Sequence, residues 1–281
     1  MTPLDTTDVD LSGQVAIVTG GGRGLGRVMA QALSAAKAKV AVVARTEAEL
    51  AETVDLIEKV GGRVLAVSAD VTDHRAVEKM VATVQRELGE IGVLINNAGV
   101  TGRPAPIWES DPEDWRHTVD VNLNGTFLCS TAVGRTMLKQ NTGRIINVAS
   151  GAALGPMMNG SAYATSKAAV LRLTECLAAD GRAHGLMAFA IDPGSVRTAM
   201  TEYLIESVEG RTYLPWYREY ILAGEDVPAE LSANLVTFIA SGRLDAMSGC
   251  LIRVTDDVER MALRAEQISK DDLYTLRLRT L

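Results

Sequence analysis

A glycine-rich turn between an apolar strand and a helix constrains the fold of this chain more than any other feature. Residues 14–20 form a short apolar run that leads into Thr19-Gly20-Gly21-Gly22-Arg23-Gly24-Leu25-Gly26 and then into a helical stretch over residues 27–36. Glycines at such a junction allow a tight turn, let a pyrophosphate approach the backbone and let the helix pack closely on the sheet. The free N–H groups of the helix N-terminus then face the phosphates. Without the flanking strand and helix, the same glycines would indicate only a turn.

Strands and helices alternate along the rest of the chain, with no linker or charge block between them. Apolar runs without polar alternation, such as residues 40–44, are typical of parallel strands covered on both faces. We predict an α/β fold: one doubly wound Rossmann-type domain over residues 1–257, with a seven-stranded parallel sheet and helices on both faces. An insertion is expected near 199–228 and a C-terminal helical extension over 258–281. The predicted strands cover 14–19, 39–45, 63–69, 93–97, 143–149, 187–192 and 250–255.

Tyr163 and Lys167 are the most informative pair of polar residues. Their spacing places a phenol and an ammonium one helical turn apart on the same face. At about 5 Å and an effective dielectric constant of about 20, the ammonium favours the phenolate by about 3 kcal/mol, or about two pKa units. We therefore expect Lys167 to lower the pKa of Tyr163 and prepare it for proton transfer to a carbonyl. Alone, the spacing is also compatible with a solvated helix face.

Four more motifs follow the glycine turn in order. Asn96-Asn97-Ala98-Gly99 ends one apolar run, Asn122 lies in Val121-Asn122-Leu123-Asn124-Gly125, Ser150 ends another run thirteen residues before Tyr163, and Asp192-Pro193-Gly194-Ser195-Val196-Arg197-Thr198 ends a third. Each taken singly is compatible with a turn, a cap or a satisfied amide. Together, and in this order, they make the chain resemble the short-chain dehydrogenase/reductase family from about Leu11 to about Asp257.

The resemblance implies an oxidoreductase that interconverts a ketone and a secondary alcohol by hydride transfer. It implies that Tyr163 is the general acid or base, that Ser150 hydrogen-bonds the substrate oxygen, that Lys167 tunes Tyr163 and binds the nicotinamide ribose, and that Asn122 positions a relay water. It implies a cofactor site at Gly20, Arg23, Gly24, Leu25, Gly26, Arg45, Asp70, Val71, Asn97, Ala98, Gly99, Tyr163, Lys167, Pro193, Gly194, Val196 and Thr198.

The end of the second strand bears on the choice of nicotinamide cofactor. An NAD enzyme usually places an Asp or Glu there to bind the ribose, but this chain has Ala44 followed by Arg45. We expect Arg45 to bind a 2′-phosphate, with Arg23 as a second positive charge. NADP(H) is therefore the preferred prediction, with NAD(H) as the alternative if both arginines are simply solvated.

The resemblance implies that the insertion near 199–228 is the substrate loop. It carries the aromatic residues Tyr203, Tyr213, Trp216, Tyr217 and Tyr220. As a lid, these rings would favour a bulky, hydrophobic substrate, with Tyr203 and Trp216 in contact with it beside Ser150 and Tyr163. They would equally suit packing against the protein body or a neighbouring subunit.

The resemblance also implies a homodimer or a homotetramer. We expect a homodimer through helices near 112–139 and 161–183. Family members often form a homotetramer through the last strand, but here that strand ends in Asp256-Asp257 and a tail follows, with the apolar residues Met261, Leu263 and Ile268.

Composition excludes several other classes of function. A net charge of −7 argues against nucleic acid as a partner, and no apolar stretch reaches membrane-spanning length. The acidic, polar first ten residues do not resemble a secretory signal, so a cytoplasmic location is predicted. Cys129, Cys176 and Cys250 are expected to be buried reduced thiols, and the three histidines share no metal-ligand spacing with them, so no metal is expected. The remaining alternatives are a catalytically silent cofactor-binding regulator or scaffold of the same fold, and an epimerase or dehydratase.

Overall fold

Seven parallel strands form one twisted sheet in the order β3-β2-β1-β4-β5-β6-β7 in the computed structural model, which describes residues 4–278. Met1-Thr2-Pro3 and residues 279–281, which belong to the predicted domain and extension, lie outside the described residues. The strands are β1 (Val15–Thr19), β2 (Lys39–Ala44), β3 (Val64–Ser68), β4 (Ile91–Asn96), β5 (Gly143–Val148), β6 (Leu186–Asp192) and β7 (Leu251–Arg253). The predicted fold class is confirmed.

Helices cover both faces of the sheet. In the described residues they are α1 (Gly24–Ala35), α2 (Glu47–Glu58), α3 (His74–Leu88), α4 (Pro112–Val119), α5 (Gly125–Gln140), α6 (Ser161–Gly181), α7 (Ala199–Glu206), α8 (Val208–Tyr213), α9 (Pro215–Leu222), α10 (Ala229–Ala240), α11 (Val258–Leu263) and α12 (Ala265–Lys270). A π-helical stretch, Asp120–Asn124, joins α4 to α5. The long helix expected near 112–139 is therefore interrupted at Asn122.

Successive residues of each strand point to opposite faces, and both faces are buried. On one face, Val18 and Val42 pack with residues of α1 and α10. On the other face, Ile17 and Val43 pack with residues of α3 and α5. This double coverage explains why the strands are almost continuously apolar.

The strand order reverses at the centre of the sheet: β2 and β3 are added on one side of β1, and β4 to β7 are added on the other. Loops that leave the carboxyl ends of β1 and β4 therefore diverge onto opposite faces and open a crevice between them. This crevice is where an open α/β sheet binds its ligands, and the predicted motifs end at its rim.

The last predicted strand is shorter than expected. β7 ends at Arg253 because the N–H of Arg253 donates to the carboxylate of Asp256, and the chain turns there. Met261 and Ile268 of the following helices are buried against the main core. Leu263 is 88 % exposed, so it does not share their buried face. The division of the chain at residue 257 stays a prediction.

The three cysteines differ in environment. Cys129 and Cys250 are buried, and burial raises the pKa of the Cys129 thiol to about 12 and that of Cys250 to about 11. Cys176 is exposed, so the prediction that it is buried was wrong: its position on α6 faces away from the sheet. Within residues 4–278, no group of three His, Cys, Asp or Glu side chains could hold a metal, and no helix could cross a membrane.

Candidate active site

A cavity of about 970 Å³ lies at the carboxyl ends of the strands. It lies at the upper end of the usual size range for ligand pockets, roughly 300–1,000 Å³. All but three of the predicted site residues line it, which brings the glycine turn, Arg45, Asp70 and Ser150 into one continuous space with Tyr163. The exceptions are Gly26, Asn122 and Tyr203.

The glycine turn is built for close approach of the backbone. Gly20 and Gly24 have φ of 64° and 53°, the left-handed region that glycine adopts without strain. A Cβ on Gly26 would lie 2.3 Å from the Gly20 carbonyl oxygen and 2.5 Å from Nδ2 of Asn97. Gly26 thus lies behind the cavity wall and allows α1 to pack against the end of β1, which explains why it does not line the cavity.

The N-terminus of α1 is open toward the cavity. Arg23 is its N-cap residue but makes no side-chain cap, and the first turn holds no acidic residue. Across the cavity, the Thr198 methyl carbon would lie 3.5 Å from a Cβ on Gly24, so the residue 192–198 segment approaches the glycine turn closely. Free N–H groups, an open cradle and a first helical turn without an acidic residue fit the pyrophosphate of a dinucleotide.

Asn97 and Thr19 lock the ends of β1 and β4 together. The Thr19 hydroxyl accepts hydrogen bonds from the N–H groups of Asn97 and Ala98 at 3.0 and 3.1 Å. The Asn97 side chain in turn donates to the Thr19 carbonyl at 2.9 Å. The crevice between the two strands is therefore rigid where Ala98 and Gly99 line it.

Two arginine–carboxylate pairs line the cavity near the carboxyl ends of β1, β2 and β3. Arg23 contacts Glu49 at 3.1 Å, and Arg45 contacts Asp70 at 3.6 Å with its side chain 63 % exposed. Burial alone would raise the pKa of Asp70, but hydrogen bonds from Thr72 and the charge of Arg45 outweigh it and lower that pKa. Each of the two arginines therefore has a carboxylate partner within the chain.

Lys167 is buried and anchored to the sheet. Its Nζ donates to the carbonyl of Val148 at 2.7 Å and lies 5.7 Å from the centre of the Tyr163 ring. Burial lowers the pKa of Lys167 to about 8. One donor of the ammonium is therefore used inside the chain, and the others are available on the cavity side.

The expectation that Lys167 lowers the pKa of Tyr163 was wrong for this chain. Burial raises the pKa of Tyr163 to about 12, and the charge of Asp192 acts in the same direction, while hydrogen bonding with Ser150 opposes it. Desolvation of the phenolate outweighs an ammonium that faces the Val148 carbonyl. In the ligand-free protein, Tyr163 is therefore a protonated phenol at neutral pH.

Asn122 supports the catalytic helix from the protein interior. Its Nδ2 donates to the Val100 carbonyl and to the Ser166 hydroxyl, both at 2.9 Å, and its Oδ1 accepts from the Val100 N–H at 2.8 Å. The Ser166 hydroxyl in turn donates a hydrogen bond to the carbonyl of Tyr163 at 2.8 Å. Both donors of the amide are used within the chain, so the side chain has none to offer a relay water.

The far end of the cavity is lined by apolar side chains of the segment α7–α9. Trp216 lines the cavity and is 53 % exposed, with Tyr217 and Tyr220 beside it. Tyr203 points elsewhere: it is 41 % exposed, outside the cavity lining, and it lies near Arg103 and Glu209.

Several lining residues were not predicted. The largest group is Gly155, Pro156, Met157, Met158, Asn159 and Gly160, which joins the Ser150 turn to α6, and Thr101, Pro104, Leu204 and Leu214 also line the cavity. The first group had a signal, since a chain that links Ser150 to Tyr163 must pass the mouth of the site. Leu204 and Leu214 had none, because only the packing of the short helices turns them inward.

Polar contacts hold the segment α7–α9 over this mouth. Nδ2 of Asn159 donates to the Tyr213 carbonyl at 2.9 Å, and the Tyr213 hydroxyl contacts Glu109 at 3.0 Å. An ion pair joins Arg103 to Glu209. These contacts tie the aromatic segment to loops on both sides of the cavity.

Comparison with known proteins points to one family. The family model described as short chain dehydrogenase matches residues 14–209. The chain is similar to the short-chain reductase protein NovJ of Streptomyces niveus, with 43 % identity over 210 residues, which are 74 % of this chain and 79 % of that protein.

Solved structures agree with this match. One, described as a gluconate 5-dehydrogenase from Beutenbergia cavernae with NADP bound at low occupancy, is 33 % identical, with a TM-score of 0.78 over 88 % of this chain and 96 % of that one. Another, an NAD⁺-bound xylitol dehydrogenase, is 28 % identical, with a TM-score of 0.79 over 86 % of this chain and 97 % of that one. Similar structures therefore hold either nicotinamide cofactor.

Proposed function

Because the chain belongs to the short-chain dehydrogenase/reductase family and is an enzyme acting on alcohol or carbonyl groups, we propose that it interconverts a ketone and a secondary alcohol on a bulky, hydrophobic small molecule with NADP(H). One observation carries the proposal. Ser150, Tyr163 and Lys167 line the same cavity as the glycine turn. The residues for proton transfer and those that fit a dinucleotide therefore share one space.

In the reduction direction, Tyr163 donates its phenolic proton to the substrate oxygen, and Ser150 hydrogen-bonds that oxygen as negative charge develops on it. At neutral pH the phenol of Tyr163 is protonated, as this direction requires. When bound, the nicotinamide cofactor supplies or accepts the hydride.

Lys167 acts from beneath the phenol. With one donor held by Val148, its remaining N–H groups would bind the nicotinamide ribose. Asn122 acts through Ser166 and the carbonyl of Tyr163, which makes it a positioning residue. A proton relay to solvent would need a group other than its amide.

Support for NADP(H) comes from Ala44 and Arg45. Ala44 puts no carboxylate at the ribose position, so nothing there repels a 2′-phosphate. The Arg45 guanidinium is exposed and is held only at 3.6 Å by Asp70, so it is free to turn toward a phosphate.

Support for a bulky substrate comes from the aromatic segment. Met157, Leu214 and Trp216 line the cavity beyond Tyr163. Apolar and aromatic linings of this kind bind large apolar groups and exclude water during hydride transfer.

We further propose a homodimer formed through α5 and α6. Phe127 and Leu138 are exposed on α5, eleven residues apart and so on one side of the helix. The outer edge of β7 is covered by the chain itself, since the Leu251 N–H donates to the Tyr274 carbonyl at 2.8 Å. This coverage supports a dimer over a tetramer assembled through β7.

The direct test is the change in NADPH and NADH absorbance with a panel of aryl and aliphatic ketones, and the reverse reaction with their alcohols. We expect turnover of aryl ketones with NADPH as the better cofactor. Tight binding of a cofactor, seen by fluorescence, with no turnover of any ketone or alcohol would contradict the proposed function.

A further inference from the structure

Asp192 places a carboxylate in the catalytic cavity that forms no ion pair within residues 4–278. It ends β6 and lines the cavity together with Ser150 and Tyr163. Its Oδ1 accepts the N–H of Gly194 at 3.1 Å. Its Oδ2 has no hydrogen-bond partner within residues 4–278.

The nearest basic side chains along the neighbouring elements are engaged elsewhere. Arg253 lies opposite Asp192 in the register of β6 and β7, and the charge of Asp192 helps to raise the pKa of Arg253 after the larger effect of Asp256. The Arg253 guanidinium forms its ion pair with Asp256, at 2.8 Å. Arg197, five residues further along the chain, contacts Asp226 at 3.5 Å. The ammonium of Lys167 faces the Val148 carbonyl.

The free oxygen faces the turn that carries Ser150. A Cβ built on Gly151 would lie 3.1 Å from Oδ2 of Asp192, so the missing side chain leaves the carboxylate open to the cavity at this point. The charge of Asp192 also reaches Tyr163, whose pKa it helps to raise. Consecutive Cα atoms are about 3.8 Å apart, so a carboxylate beside Gly151 is within reach of a substituent next to a carbon held at Ser150.

A partly buried carboxylate without a partner is unfavourable, and a charge-assisted hydrogen bond from a bound molecule would remove that cost. We propose that Asp192 selects substrates with an ammonium or hydroxyl group on the carbon adjacent to the reacting one. Together with the aromatic lining, this defines the class as aryl 1,2-amino alcohols and 1,2-diols, with their ketones. The inference rests on the proposed function, because it assumes that a carbonyl or carbinol carbon is bound at Ser150 and Tyr163.

Three alcohols of similar size test this inference: 2-amino-1-phenylethanol, 1-phenylethane-1,2-diol and 1-phenylpropan-1-ol. We expect the unmutated enzyme to prefer one or both of the first two by at least tenfold in kcat/KM. Asp192→Asn keeps the shape and removes the charge, and it should reduce that preference to less than threefold while it changes kcat/KM for 1-phenylpropan-1-ol by less than threefold. Glu202→Gln, which removes an exposed carboxylate from α7, should leave all three values unchanged.

The outcomes separate the inference from the function on which it rests. Turnover of all three alcohols without preference, or an equal fall for all three in Asp192→Asn, would overturn the role of Asp192. A tenfold change in cofactor affinity of Asp192→Asn, measured by fluorescence without substrate, would assign the carboxylate to the nicotinamide instead. If the unmutated enzyme binds cofactor but converts none of the alcohols or their ketones, the proposed function itself is contradicted.

Discussion

The two ends of the cavity are constructed in different ways. At the cofactor end, backbone and glycine form the wall, and a single Cβ at Gly26 would meet the Gly20 carbonyl at 2.3 Å. At the substrate end, large side chains form the wall, and Trp216 and Met158 remain exposed. A wall of closely packed backbone atoms keeps its shape when side chains elsewhere are substituted, so the first end suits a single ligand. The second end can change its ligand whenever a side chain changes.

Charge differs in the same way between the two ends. The cofactor end holds two arginines, Arg23 and Arg45, each beside a carboxylate. At the substrate end, Asp192 lines the cavity without an ion-pair partner among residues 4–278. Paired charges leave a surface that adapts to an ionic ligand, whereas an unpaired charge in an apolar cavity selects strongly for one kind of group.

Tyr163 lies where the two ends meet, so the loss of its hydroxyl should have the largest effect on turnover. We expect Tyr163→Phe to lower kcat by about 10²–10⁴-fold with cofactor affinity nearly unchanged, because the ring stays and only the proton donor is lost. Tyr274→Phe, which removes an exposed hydroxyl outside the cavity, is the control. A Tyr163→Phe enzyme with more than a tenth of the normal rate would show that another group donates the proton.

The packing difference predicts a large effect of a Gly→Ala substitution at the cofactor end and a small effect at the substrate end. Gly26→Ala should weaken cofactor binding by about tenfold to a hundredfold, since overpacking costs about 1–3 kcal/mol and α1 must move. At the substrate end, a Cβ on Gly155 would meet nothing within 4 Å, so Gly155→Ala should change cofactor affinity by less than about twofold. Both values can be measured by fluorescence titration, and equal effects would abolish the distinction between the two ends.

The cofactor end should change its preference when its charge changes. Ala44→Asp with Arg45→Val replaces a phosphate partner by a ribose partner, and the kcat/KM ratio of NADPH over NADH should fall by at least tenfold, about 1.4 kcal/mol. Arg86→Val, at an arginine remote from the cavity, serves as the control. If the unmutated enzyme uses both cofactors equally and the double variant does too, Arg45 has no role in this choice.

The substrate end should respond through KM. Trp216→Ala should raise KM for a bulky aryl ketone by about tenfold, with melting temperature and oligomer size nearly unchanged. Trp108→Ala removes another exposed indole that does not line the cavity and should leave KM alone. Dissociation or early melting of Trp216→Ala with a normal KM would mean that these rings serve assembly.

The last expected effect concerns stability and not activity: a pH dependence that arises from Lys167. Its pKa is about 8 in the folded protein and about 10.4 when unfolded. The unfolded chain therefore holds more protons between these values, and stability rises with pH in that window. The pKa of Tyr163 is about 12 when folded and about 10 when unfolded, so stability falls again above pH 10.

Between pH 7.5 and 10, Lys167 alone should contribute a gain of about 2 kcal/mol, or a few degrees in Tm. Lys167→Met removes this gain without removing the bulk of the side chain. Melting curves of the two proteins in the ligand-free state should converge as the pH rises and the burial penalty of the ammonium disappears. Curves that stay parallel across this range would show that Lys167 is not desolvated.

Local sequence determined the strands, the glycine turn and the order of the elements in this protein. The glycine turn, the apolar strands and the order of the motifs predicted the sheet and placed Ser150 and Tyr163 at its carboxyl edge, because turn geometry and strand burial depend on residues close together in the chain. The substrate-side positions were predictable only as a segment, which is why Tyr203 was expected in the cavity and Leu214 was not.

Only the tertiary structure decided what each polar group contacts. Arg45 meets Asp70 25 residues away, Lys167 meets the carbonyl of Val148 19 residues away, and the donors of Asn122 reach Ser166 44 residues away. Burial by these distant neighbours, rather than the local spacing of Tyr163 and Lys167, determines their pKa values. The physical reason is that desolvation depends on everything packed around a group, and the chain brings those atoms together only when it folds.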